Sequence, residues 1–162
     1  MAIQLKDVHF AYPKAQNIDI LKIKSWSVSA QDQVFVHGPS GGGKSTLLNL
    51  LSGMLTATTG EVSVLGERLD IMNVRQRDCF RANHIGYIFQ QFNLIPYIDA
   101  IDNIQLAHQF SKKDSQLVLI DEIKSLLSTF NISQTDWHKP VEQLSIGQQQ
   151  RIAIARAMIN KP

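Results

Sequence analysis

Residues 38–46 read Gly-Pro-Ser-Gly-Gly-Gly-Lys-Ser-Thr, and no other stretch of the chain limits its fold so strongly. Gly38, Gly43, Lys44 and Ser45 fill the fixed places of the phosphate-loop pattern G-x-x-x-x-G-K-[ST]. Such a loop has to leave a strand and enter a helix. Val34-Phe-Val36 supplies an apolar run before it, and Ser45 to Ser52 supplies a helical run after it. The glycine-rich stretch Gly38, Pro39, Ser40, Gly41, Gly42 and Gly43 lets the backbone curl, with successive N–H groups turned toward phosphate oxygens. Lys44 adds a compact positive charge for the outer phosphates. Ser45, followed by Thr46, offers a hydroxyl to Mg²⁺. The helix that begins here aims its positive end at the same anion.

Length and composition narrow the remaining possibilities. A chain of 162 residues suits one domain with a sizeable core. The net charge of +2 is too small to point to nucleic acid as a partner. A single cysteine, Cys79, excludes an intramolecular disulfide and suits a reducing cytosol. The start, Met-Ala-Ile-Gln-Leu-Lys-Asp, lacks the basic and apolar regions of a signal peptide. No apolar run approaches the length of a membrane span.

Along the chain, residues 2–36 read as β-rich. Ile3 and Leu5 alternate with polar residues, as do Val8, Phe10 and Tyr12, and a polar turn follows from Pro13 to Asn17. Ile18, Ile20, Ile23, Trp26 and Val28 predict further strand. Residues 44–53 predict a first helix, Glu61–Leu65 a strand, Asn73–Asn83 partial helix, and Ile85–Phe89 a short apolar strand. Asn103–Phe110, Leu117–Phe130 and Ile146–Ile159 carry apolar residues at helical spacing. The expected fold is α/β. It comprises a phosphate-loop core of about residues 1–90 with an amino-terminal antiparallel β subdomain, and a helical subdomain of about residues 91–160.

With these motifs in order, the chain resembles the ATP-binding-cassette (ABC) ATPases over essentially its whole length. The phosphate loop carries part of the resemblance. Ile88-Phe-Gln-Gln91 followed by Phe92-Asn-Leu-Ile-Pro96 looks like the family's glutamine loop, with Gln90 as the functional glutamine. Leu144-Ser-Ile-Gly-Gln-Gln-Gln-Arg151 is similar to the family's signature motif, and the signature helix continues through Met158. Tyr12 stands where the family places an aromatic that stacks on adenine, with Phe10 as the alternative. The resemblance implies ATP and Mg²⁺ as ligands. Lys44 and Gln90 would take catalytic roles, and Ser45 and Gln90 would face the metal. Ser145, Gly147 and Gln148 would close on the ATP of a second cassette in a head-to-tail dimer. It also implies a transmembrane permease partner and a cytoplasmic location, peripheral on the inner face of the cell membrane. Residues 81–96 look most like the exporter-type cassettes of macrolide-efflux and lipoprotein-release systems.

The sequence departs from the family pattern at several places. Ile146 replaces a signature glycine, and a β-branched residue cannot take positive φ cheaply. His37 stands where an aliphatic residue is usual and reads as a partly buried strand residue. The strand ending in Asp-Glu, which the family would place after the signature, does not follow Arg156. Leu117-Val-Leu-Ile-Asp-Glu122 imitates that strand but precedes the signature. Ile123, Leu126, Leu127 and Phe130 continue it as a helical stripe, so Asp121 and Glu122 are expected on a solvated helix face. The expected function is the ATP-binding subunit of an ABC transporter, with this chain as its amino-terminal portion. The alternative is a truncated, non-hydrolysing nucleotide- or partner-binding module. A cassette acting in DNA repair or translation is disfavoured, since the chain has neither a coiled-coil insertion nor paired cassettes.

Overall fold

In a computed structural model, residues 1–13, 19–109, 111 and 116–162 are described. Asn17, Ile18 and Phe110, named above in the expected turn, strand and helix, lie outside them. The chain divides into two compact units, residues 1–78 and 79–162.

The first unit is built on a four-stranded antiparallel sheet in the order β2-β1-β3-β4. Its strands are β1 (Ile3–Phe10), β2 (Leu21–Val28), β3 (Thr59–Val64) and β4 (Glu67–Arg68). Leu5 pairs with Trp26 on one side and Val62 on the other. Leu5, Val8, Phe10, Val28, Val62 and Val64 are buried, and Leu50 of helix α1 (Lys44–Leu51) and Leu69 join them. Each such side chain contributes about 1.5–3 kcal/mol on leaving water.

Leu5 and Val8 are three residues apart, yet both point inward. The β1–β3 register shifts between Lys6 and His9, and Asp7 takes a φ of 47°. The extra residue resets the alternation so that Val8 and Phe10 regain the core face. Gly60 lies directly against this bulge. Strands β3 and β4 are joined by Leu65-Gly66, with φ of 52° and 84°. Two positive φ values in a two-residue loop match the right-handed twist of the hairpin.

The second unit is helical. Helix α2 (Val74–His84) spans the division, and α3 (Ala100–Gln109), α4 (Gln116–Thr129) and α5 (Ile146–Met158) follow. Ile104, Ile123, Leu127 and Ile152 are fully buried in its core, and Trp137, Val141 and Leu144 belong to the same cluster. The Trp137 indole N–H donates to the Ile132 carbonyl at 3.0 Å. Asn103 is buried and fixes the loop before α3. Its Oδ1 accepts from the Ile95 amide at 2.8 Å, and its Nδ2 donates to the carbonyls of Ile95 and Asp99.

Neither apolar run expected as a strand beside a functional loop lies in one. Val34–Val36 and Ile85–Phe89 pair with no strand among the described residues. Phe35 is 86% exposed, and His37, expected to be partly buried in that strand, is exposed with its ring stacked on Phe35. An apolar run becomes a strand only when neighbouring backbone groups complete its ladder. Ile85–Phe89 instead runs past α5: a Cβ built on Gly86 would come within 2.8 Å of the Ala157 carbonyl oxygen.

Candidate functional site

The phosphate-loop residues form a glycine-hinged turn that ends at the first residue of α1. Gly41 and Gly43 are left-handed, with φ of 78° and 81°. Alternation of left- and right-handed residues is the backbone pattern of an anion-binding concavity. Gly43 is the N-cap of α1, and its φ of 81° is one that a residue with a side chain adopts only under strain. No side chain caps this helix, so its first amides are left for another acceptor.

Lys44 folds back over the loop. Its Nζ donates to the Gly38 carbonyl at 2.9 Å and to the Pro39 carbonyl at 2.7 Å. Pro39 also accepts from the Gly42 amide at 3.1 Å. The ammonium thus rests on loop carbonyls, acceptors weaker than a phosphate. Ser45 is exposed, while Thr46 is 6% exposed and turned the other way. Its Oγ1 lies 3.3 Å from the Tyr12 hydroxyl. Of these adjacent hydroxyls, Ser45 is the one open to solvent. Tyr12 is 41% exposed and stands edge-on to Phe10, ring centroids 4.9 Å apart. Phe10 itself is buried. Tyr12 is therefore the ring of the pair that can receive a flat ligand.

In the second unit, the signature residues open α5. Ser145 is its N-cap and forms a reciprocal capping box with Gln148. The Gln148 amide donates to Ser145 Oγ at 3.3 Å, and Gln148 Oε1 accepts from the Ser145 amide at 2.9 Å and from its hydroxyl at 3.0 Å. Gln148 Nε2 donates to Asp136 Oδ2 at 2.8 Å. The Lys139 ammonium, 2.7 Å from Asp136, is the main cause of a carboxyl pKa below the ordinary value, and Gln148 adds to it. The α5 helix starts at Ile146, where the helical spacing of residues 146–159 begins. Ile146 is 75% exposed and keeps a negative φ as the first helical residue, where a β-branched side chain is tolerated. Gly147 also lies in the helix, with the Arg151 guanidinium 3.4 Å from a Cβ built there.

Gln90 is exposed in a turn that the Phe92 amide closes onto the Phe89 carbonyl at 3.1 Å. Phe92 and Asn93 have φ of 60° and 51°, and Arg156 of α5 donates to both of their carbonyls. Asp121 and Glu122 lie on α4, as the helical stripe predicts; Asp121 is exposed and Glu122 pairs with Lys161 at 2.7 Å. Arg156 and Asp136 are site residues that motif spacing does not identify. Their signals were a cation set into an otherwise apolar helical run and an acid twelve residues before a capping glutamine. Among the described residues, no helix is long and apolar enough to cross a membrane.

Residues 21–162 match the model of the ABC transporter family. LolD, the ATP-binding protein of the lipoprotein-releasing system of Francisella tularensis, is 35% identical over 163 aligned positions, spanning 100% of this chain and 70% of that protein. The ABC transporter ATP-binding protein MJ1508 of Methanocaldococcus jannaschii is 40% identical, spanning 99% of this chain and 71% of its own length. An MG065 homologue of Mycoplasma pneumoniae is 35% identical over 99% of this chain, which spans 34% of that protein. Among solved structures, the dimeric cassette MJ0796 bound to ADP and Pi superposes with a TM-score of 0.88 at 33% identity, covering 99% of this chain and 70% of the cassette.

Proposed function

The chain belongs to the ABC transporter family, and we propose that it is the ATP-binding subunit of a transporter, coupling ATP binding and hydrolysis to movement in a membrane partner. The observation that carries this reading is the phosphate loop. Its Lys44 ammonium rests on two loop carbonyls, in a loop with left-handed glycines that ends at an uncapped helix start.

On binding ATP, Lys44 leaves Gly38 and Pro39 for the outer phosphates, a stronger, charge-assisted pairing. The amides at the uncapped start of α1 would face the inner phosphates, and the Tyr12 ring would stack on adenine. Ser45 would take Mg²⁺, which would neutralise charge on the phosphates. Ser145, Gly147 and Gln148 present the positive end of α5 to the nucleotide of a second cassette. The dimeric state of the MJ0796 cassette supports that arrangement. The similarity to LolD supports an exporter-type membrane partner.

The test is titration of the chain with a fluorescent ATP analogue and Mg²⁺, repeated with Lys44→Ala. Loss of a charged hydrogen-bond donor should weaken binding about 10- to 100-fold. Equal binding by the variant overturns the role of the loop. Tight binding without turnover favours the non-hydrolysing module.

A further inference from the structure

The turn that presents Gln90 ends in backbone that does not hold itself in place. The Phe92 amide closes a four-residue turn on the Phe89 carbonyl, with Gln90 and Gln91 at its tip. The Asn93 amide then bonds the Gln91 carbonyl at 2.6 Å, closing a second, three-residue turn about Phe92. A three-residue turn with positive φ at its centre is the rare, strained kind, and here the central residue is an aromatic with φ of 60°. Asn93 follows at 51°. Two consecutive left-handed residues with side chains persist only if their surroundings fix them.

Arg156 supplies that fixing. Its Nη1 donates to the Asn93 carbonyl and its Nη2 to the Phe92 carbonyl, each at 2.6 Å. One planar fork thus grips the carbonyls of both left-handed residues. Burial pulls the guanidinium pKa below its ordinary value, the mark of a cation kept from water for its contacts. Arg156 lies on α5, three turns beyond the Ser145 cap.

We infer that Arg156 is a positioning residue: it locks the exit of the Gln90 turn onto the signature helix, so that the glutamine and the Ser145 end of α5 respond to nucleotide as one piece. The nucleotide half of this inference rests on the ATP-binding reading above, whereas the clamp itself does not.

The experiment is amide hydrogen exchange on the nucleotide-free chain, wild type against Arg156→Lys, followed by titration of both with MgATP and MgADP. Lysine keeps the charge but not the fork. Exchange at residues 89–95 should rise about tenfold or more, with residues 100–109 and 146–158 unchanged. Adding Asn93→Gly, which relieves one left-handed residue at an exposed position, should recover much of the lost protection. The preference for ATP over ADP should fall at least severalfold in Arg156→Lys, with ADP affinity retained. Unchanged exchange at 89–95, or a rise shared by the helices and not reversed by Asn93→Gly, makes Arg156 a packing residue and overturns the clamp. A locally loosened turn with the wild-type nucleotide preference overturns the coupling. A wild-type chain that binds neither nucleotide counts against the ATP-binding reading, and the exchange result still decides the clamp.

Discussion

The Tyr12 hydroxyl stands 3.3 Å from Oγ1 of Thr46, tying the segment after β1 to the third residue of α1. The ring and the hydroxyl of Tyr12 therefore have separable uses. Tyr12→Phe leaves the buried Thr46 hydroxyl with one partner fewer and should cost about 0.5–1.5 kcal/mol in urea unfolding. It keeps the ring, so ATP affinity should stay within about twofold. Tyr12→Ala removes the stacking face, worth about 1–3 kcal/mol per base, and should weaken ATP about tenfold while sparing tripolyphosphate. Equal losses in the two variants would remove the ring from the adenine site.

Gly60 faces the bulge in β1. With φ of 91°, a Cβ there would lie on the Asp7 carbonyl and 2.6 Å from the Lys6 carbonyl oxygen. Gly60→Ala must open the β1–β3 pair or undo the bulge, at about 2–4 kcal/mol. Chemical denaturation reads this directly. A cost under about 0.5 kcal/mol would show that the bulge yields freely.

The alternations on either side of that bulge are legible in the sequence, whereas the bulge itself is not among its expectations. Leu5 and Val8 interrupt a two-residue alternation that resumes through Phe10, and only an extra residue lets both faces agree. The helices were legible too, because the burial of Ile123 and Leu127 follows their own spacing. The runs Val34–Val36 and Ile85–Phe89 were not, since a strand is defined by its neighbours and an apolar run carries no record of them. The same limit hid the partners within the site. Nothing local to Arg156 says that it reaches back more than sixty residues to Phe92 and Asn93. The Lys44 contacts lie within its own loop, and that part of the site could be read from spacing alone.

Asp70 sets an acid limit on the first unit. Arg68 donates to both of its oxygens, at 2.8 and 2.6 Å, and the Val62 amide of β3 donates to Oδ1 at 2.9 Å. The Arg68 hydrogen bond is the main reason the carboxyl titrates below its ordinary 3.8; burial opposes it, and the Val62 amide adds to it. The folded pKa is depressed, so the stabilisation is complete above the unfolded value and is lost as pH falls through the folded one. Between about pH 5 and pH 2, the urea midpoint of wild type should fall further than that of Asp70→Asn. At neutral pH, Asp70→Asn should be less stable by about 1–3 kcal/mol. Parallel pH profiles for the two proteins would remove Asp70 from the acid response.

Gln148→Glu is the most discriminating change at the signature. Glutamate is a common third residue of a capping box and suits the positive end of a helix, so local rules favour it. The surroundings oppose it. Gln148 accepts from Ser145 through Oε1 but donates to Asp136 through Nε2, and glutamate can only accept when ionised. Its second oxygen would meet Asp136 Oδ2 where a 2.8 Å hydrogen bond now stands. Two carboxylates so close hold one proton above its ordinary pKa. Gln148→Glu should therefore melt below wild type at neutral pH and approach it as the solution is acidified. Asp136→Asn in the same chain supplies an amide donor and should restore the neutral melting temperature. A single variant as stable as wild type at neutral pH would mean that Asp136 swings clear, and the Asp136–Gln148–Ser145 chain would then have no part in holding the signature.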